Sequence, residues 1–154
     1  MGNVPNVACQ RRVRAALTGV GALVTGRHLF DIASGWGGTH PLGVPIFVVT
    51  HNASPADWEP TDTFTFVDGV EKAVAQARAA AGDKQVVVAS AKIAQQCLDA
   101  GLVDELAVDL VPIVLGDGVR WFDNLRQAPV HLGNPTVIEG NAVTHLTYTV
   151  IKRS

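Results

Sequence analysis

Apolar residues along this chain follow two rhythms. Short, nearly unbroken apolar runs predict buried strands: "GALV" (21–24), "PIFVVT" (45–50), "FTFV" (64–67) and "QVVVA" (85–89). Between and after them the spacing becomes helical. "GVEKAVAQARAAAGD" (69–83) places Val70, Ala73, Val74 and Ala77 on one face and ends at Gly82. "AKIAQQCLDAG" (91–101) does the same with Ile93, Ala94, Cys97 and Leu98, with Ser90 at the N-cap and Gly101 at the C′ position. "DELAVDLVPIVLG" (104–116) reads as one long strand that ends in the Gly-rich turn "GDG" (116–118). In the tail, two strands around "EGNA" (139–142) form a hairpin. Its second strand alternates Val143, His145, Thr147 and Thr149 with Thr144, Leu146, Tyr148 and Val150, a more polar face against a more apolar one.

Strands alternating with helices, then a terminal hairpin, predict an α/β fold of three layers: a mainly parallel sheet with a C-terminal antiparallel hairpin and helices on both faces. The 154 residues suit a single domain spanning 1–154, with an atypical segment at 1–20. In such sheets ligands bind outside the carboxyl ends of the strands. Three turns fall there: Gly26-Arg27-His28-Leu29 in "LVTGRHLFD", Thr50-His51, and Ala89-Ser90-Ala91. They are expected to converge on one rim.

Charge narrows the partners. Twelve basic against 14 acidic residues give a net charge of −2, which argues against general nucleic-acid binding, so any anion site is local. No apolar run approaches the roughly 20 residues that span a bilayer. "MGNVPNVACQRR" lacks the order of a signal peptide, and Asn6 breaks the myristoylation pattern that begins at Gly2. A cytoplasmic protein without membrane contact is the expectation. Cys9 and Cys97 show no disulfide framework, and neither they nor the five His have metal-ligand spacing; Cys97 reads as a small core residue. No carboxylate pair or Ser-His-Asp set stands out along the chain, and Asp104 and Glu105 read as structural.

"LVTGRHLFD", "PIFVVTH" and "VVVASAKIAQQCLDAGLVDELAVDLVPIVLGDGVRWF" resemble the dihydrofolate-reductase-like superfamily. The branch resembled includes the C-terminal reductase domain of the riboflavin-synthesis enzyme (RibD C-terminal domain). The resemblance spans roughly residues 12–151 and is most specific over 100–122. It implies an NADPH-dependent reductase of a pteridine- or pyrimidine-like heterocycle, of the dihydrofolate reductase or 5-amino-6-(5-phosphoribosylamino)uracil reductase type. It also implies that Gly26, Arg27, His28 and Leu29 lie along the cofactor phosphates, Thr50 and His51 near the adenosine 2′-phosphate, and Ala89, Ser90, Ala91 and Lys92 at the pyrophosphate. Trp36, in "SGWGGTHPLG" (34–43), and Gly116, Asp117 and Gly118 would border the substrate. The catalytic proton donor is not identified, and a homodimer is expected.

Two departures accompany the resemblance. Many relatives carry glycines at the positions of Ala89, Ser90 and Ala91. Many also begin with a strand and an Asp-Gly segment that have no counterpart here before residue 20, so the chain reads as shortened, with "NVACQRRVRAALTG" as the helix that follows that strand. The alternative function is therefore a catalytically degenerate nucleotide-binding or structural homodimeric module. At single positions the plainer alternatives are a solvated turn cation (Arg27), a turn cap (His28), an exposed loop histidine (His51), an N-cap alone (Ser90), a solvent-facing lysine (Lys92), a rim-packing aromatic (Trp36) and a tight turn (116–118).

Overall fold

The computed structural model describes residues 7–52, 58 and 61–152; the expectations about Gly2 and Asn6 lie outside them. The described chain packs as two compact units: Gly19–Leu102 with Arg120–Leu125, and the N-terminal helix with Val103–Val119 and the stretch from Arg126.

The first unit is the α/β part. Its strands are β1 (Val20–Gly26), β2 (Ile46–Val49), β3 (Phe64–Val67) and β4 (Gln85–Ala89). They pair in the order β3-β2-β1-β4, all parallel. β2 is buried along its whole length, as its run of β-branched and aromatic residues demands. A short helix, α2 (Arg27–Ile32), leaves β1; α3 (Val70–Ala81) joins β3 to β4; α4 (Ala91–Asp99) follows β4. α3 buries Ala73, Val74, Ala77 and Ala81, and packs on β1 and β2. α4 buries Ile93, Ala94, Cys97 and Leu98. It ends in a Schellman motif: Gly101 N–H bonds to Leu98 C=O at 3.0 Å and Leu102 N–H to Cys97 C=O at 2.9 Å. Leu23, Phe30, Ile46, Val48 and Phe64 form a core cluster, with Trp36, Trp58 and Phe66 packed on it.

The second unit is antiparallel. β8 (Val143–Ile151) pairs with β5 (Glu105–Leu110), β6 (His131–Leu132) and β7 (Thr136–Gly140). The turn between β7 and β8 is Asn141-Ala142, since Gly140 pairs with Val143. α1 (Val7–Thr18) packs on β7. Asp104 accepts the Val150 N–H at its carbonyl, 2.8 Å, and its carboxylate meets Lys152 at 2.6 Å.

Three expectations need correction. The strand expected over 104–116 ends at Leu110, because Pro112 has no N–H to donate to a ladder; the apolar residues beyond it stand in solvent, Val114 97% exposed. β4 is only half-covered, with Val87 36% exposed, because no described strand pairs with its outer edge. On β8 the most buried residue is His145, from the face expected to be polar, because it is satisfied by polar partners rather than by water.

Candidate functional site at the carboxyl rim of the parallel sheet

The order β3-β2-β1-β4 has a consequence for chemistry. The chain steps outward from β1 to β2 to β3, then returns across β1 to place β4 on its other side. The reversal falls between β1 and β4, and the carboxyl end of such a switch point is where open α/β sheets bind ligands. The register puts Thr25 opposite Ala89 and Gly26 opposite Val49. Arg27, Thr50 and Ser90 therefore follow on one rim, as the three turns require.

Gly26 is fixed by close approach. A Cβ there would stand 3.1 Å from Ile93 Cγ1 and 3.2 Å from Ser90 Oγ, tighter than ordinary contact, so any side chain at position 26 would push on the start of α4. Ser90 is the N-cap residue of α4, but its side chain makes no capping hydrogen bond, which corrects the expectation of a side-chain cap. Its backbone has φ 108° and ψ 134°. Gly69, the N-cap residue of α3, has φ 91° and ψ 142°. Two successive strand-to-helix turns thus use one backbone shape, and only one of them fills it with glycine. The first N–H groups of α4, at Ala91, Lys92 and Ile93, have no carbonyl of their own helix to bond. Beneath this turn Thr25 Oγ1 is fully buried without a hydrogen-bond partner among the described residues.

The flanking cations are less available than their positions suggest. Arg27 Nε donates to Asp31 Oδ1 at 2.7 Å, an i,i+4 pair across α2. His51 Nδ1 meets Asp68 Oδ1, which leads from β3 on the same rim. Thr50 is buried and turned into its own loop, accepting the Asn52 N–H at 3.1 Å and donating to Asn52 C=O at 3.4 Å. His28 and Lys92 are exposed, and Leu29 is half-buried. Sequence reasoning missed Asp31 and Asp68. The i,i+4 spacing from Arg27 was a readable signal for the first; for the second the strand order had to be known.

Trp36 is held by packing. Its ring stacks on Phe64 at 6.2 Å and meets Phe30 and His40 edge-on. The turn that carries it, Ser34–Gly38, is left-handed, with φ between 48° and 89° at every residue. Gly35 lies against Trp58, whose ring a Cβ would approach to 2.4 Å. Gly116, Asp117 and Gly118 belong to the antiparallel unit, as an exposed turn closed by Gly118 N–H donating to Asp117 Oδ1 at 2.7 Å. Within the parallel unit, the rim gathers the turns that hold the cofactor candidates.

The residues present fit the phosphates of a dinucleotide: a close glycine, an uncapped helix start, a hydroxyl at Ser90 and an arginine on the next strand end. Comparison with known proteins gives the family and the fold. The sequence profile of the RibD C-terminal domain matches residues 43–149, and the chain belongs to that family. Among solved structures, it is similar to a candidate riboflavin biosynthesis protein from Shewanella sp. PV-4. The TM-score is 0.71 at 24% identity, over 90% of this chain and 78% of that one. It is also similar to dihydrofolate reductase from Enterococcus faecalis complexed with NADP(H) and RAB-propyl. There the TM-score is 0.59 at 16% identity, over 93% of this chain and 83% of that one. No curated protein sequence matches the chain. The fold is therefore that of the dihydrofolate-reductase-like proteins. Among the described residues no helix is long and apolar enough to cross a membrane, and no group of His, Cys, Asp and Glu could hold a metal ion.

Proposed function

We propose that the chain is an NADPH-dependent reductase of a pteridine- or pyrimidine-like heterocycle. The observation that carries this is the switch point itself: Gly26 and the free start of α4 meet where a dinucleotide's phosphates sit in sheets of this topology. The N–H groups of Ala91 and Lys92 and the Ser90 hydroxyl would take phosphate oxygens. Arg27 would add a charged contact, with Thr50 and His51 toward the adenosine 2′-phosphate. When bound, NADPH supplies the hydride; the chain's own part is to orient the ring, exclude water and complement charge. Trp36, packed on the buried Phe64, would offer an apolar face to a heterocycle.

A second reading has its own support. Arg27 and His51 are each already paired with a carboxylate, so an incoming phosphate must share them. A nucleotide-binding module without turnover fits that weaker grip.

Fluorescence titration with NADPH and NADH separates these ideas from the absence of any site. Native chain is expected to prefer NADPH. Arg27→Ala is expected to weaken NADPH by about tenfold, the lower end of the ~1.5–3 kcal/mol of a charged hydrogen bond, since Asp31 already engages the guanidinium. Equal affinity for both cofactors, or none lost in the variant, overturns the assignment. NADPH binding without oxidation by any pteridine or pyrimidine substrate selects the binding module.

A further inference from the structure

Residues 136 positions apart meet inside the antiparallel unit. His145, in the middle of β8, is 3% exposed. Its Nε2 lies 3.1 Å from Cys9 Sγ on α1, and its Nδ1 lies 2.7 Å from Asp109 Oδ1 on β5, the residue directly across the ladder. Arg12, one turn after Cys9, approaches Asp109 to 3.9 Å and donates to Thr147 Oγ1 at 3.3 Å. α1 is held close over this face: a Cβ on Gly140 would come within 2.9 Å of Cys9 Sγ.

The geometry points to Cys9 as an activated thiol, with His145 as its base and Asp109 as the group that positions the base, poised for exchange with a small disulfide. The proton arrangement follows from the partners. A carboxylate accepts only, so Asp109 fixes the hydrogen of neutral His145 on Nδ1. That leaves a lone pair on Nε2, aimed at Cys9, which can take the thiol proton. A nucleophile, a base within hydrogen-bond reach and a third group orienting the base are the signature of an activated nucleophile. The imidazole is buried, while Cys9 itself is half-buried rather than enclosed in the core. Its imidazolium, once formed, is matched by Asp109, and Arg12 tempers that carboxylate in turn.

In the step, Cys9 sulfur attacks one sulfur of a small disulfide R–S–S–R. A Cys9–S–S–R bond forms and the R–S–S–R bond breaks. The released R–S⁻ takes the proton held on His145 Nε2 and leaves as R–SH. Cys9 is oxidised, one sulfur of the reagent is reduced, and no further oxidant is needed. The same site could be sought by an acyl donor, but exchange at sulfur requires no oxyanion pocket, so it asks for no more than these three residues.

The second cysteine provides the internal control. Cys97 is fully buried, and burial pushes its thiol up to about 11. Folded protein should therefore react at one thiol only. The experiment treats the native chain, without cofactor, with a chromogenic aromatic disulfide and follows thiol release, mass spectrometry locating the adduct. One fast equivalent on Cys9 is expected, with Cys97 reacting only after denaturation. Asp109→Asn, at an exposed carboxylate, should place an amide donor against Nδ1, move the hydrogen to Nε2 and remove the acceptor for the thiol proton. It is expected to slow Cys9 by at least about tenfold, within the range for loss of general-base help, with the rate restored in Asp109→Glu, which keeps the carboxylate acceptor, a pattern that mere loosening of packing would not single out. His145→Gln should slow Cys9 likewise. Overturning results are a native Cys9 that reacts no faster than the thiols of urea-denatured chain, or a folded Asp109→Asn variant with unchanged rate. The native-against-denatured comparison decides even where a variant fails to fold. None of these measurements involves NADPH, so they stand or fall apart from the reductase assignment.

Discussion

Ser90 holds an L side chain at φ 108° and ψ 134°, a conformation left largely to glycine, and Gly69 shows what the same turn looks like when glycine fills it. Strain of this kind costs about 1–3 kcal/mol, while glycine's extra freedom in the unfolded chain costs about 0.5–1 kcal/mol. Ser90→Gly is therefore expected to stabilise the protein by about 1 kcal/mol, read as a rise in melting temperature of about 2–4 °C. Ala91 is a different case. It is the first residue of α4 and has no such backbone, so glycine there brings only the helix penalty. A single variant at 90 that melts no higher than native would show the turn is not strained. The resemblance had marked both positions as glycines in relatives; only backbone angles distinguish them, and angles are not written in residue type.

The loop at 34–43 shows how an element becomes readable only when its partners are in place. Its glycines announce a turn, but not that Ser34 and Trp36 would share their left-handed backbone, nor that Trp36 would stack on Phe64. His40 is the titratable part of this loop. Its Nδ1 accepts the Leu42 N–H at 3.1 Å, it sits edge-on to Trp36, and burial lowers its pKa from 6.5. Below about that pH the unfolded chain binds the proton that the folded loop resists, so stability falls as pH falls. Protonation would also remove the acceptor for Leu42. Thermal melts from pH 7 to pH 5 should show a larger loss for native protein than for His40→Asn, whose side-chain oxygen can keep the Leu42 bond without titrating. An equal loss in both would sink the claim. Elements that depend on their own sequence were legible without any such context. β3 spans the apolar run 64–67, α3 and α4 follow the 3.6 spacing, and Gly101 closes α4 as its place after Ala100 implies.

At the scale of the whole molecule, legibility ended where distant strands had to be joined. The rim of β1, β2 and β4 follows from the rule that ligands meet strand ends, and the structure brings those turns together. The contact of Cys9 with His145 and Asp109 does not follow from any spacing, because it depends on α1 lying over the antiparallel sheet. Nor did the alternation of strands show that, among the described residues, β4 would have an unpaired edge in the parallel sheet and β5 one in the antiparallel sheet. Those two edges, with the apolar stretch that Pro112 releases from β5, bear on assembly. Leu110 is 59% exposed, Ile113 65%, Leu115 82% and Val119 86%, and large apolar side chains exposed along one stretch are candidates for an interaction surface. Unpaired edges seek partners, and a self-complementary patch is most simply covered by a second copy related by a twofold axis. We expect a homodimer that buries more than about 1,000 Å² in total. Light scattering over a dilution series tests it directly, with Val114→Lys, at a side chain 97% exposed, as the companion variant. A native dimer that dissociates on introducing that charge places the contact on the 110–119 stretch. A dimer indifferent to it places the contact elsewhere, and a native chain that remains monomeric throughout the micromolar range overturns the expectation.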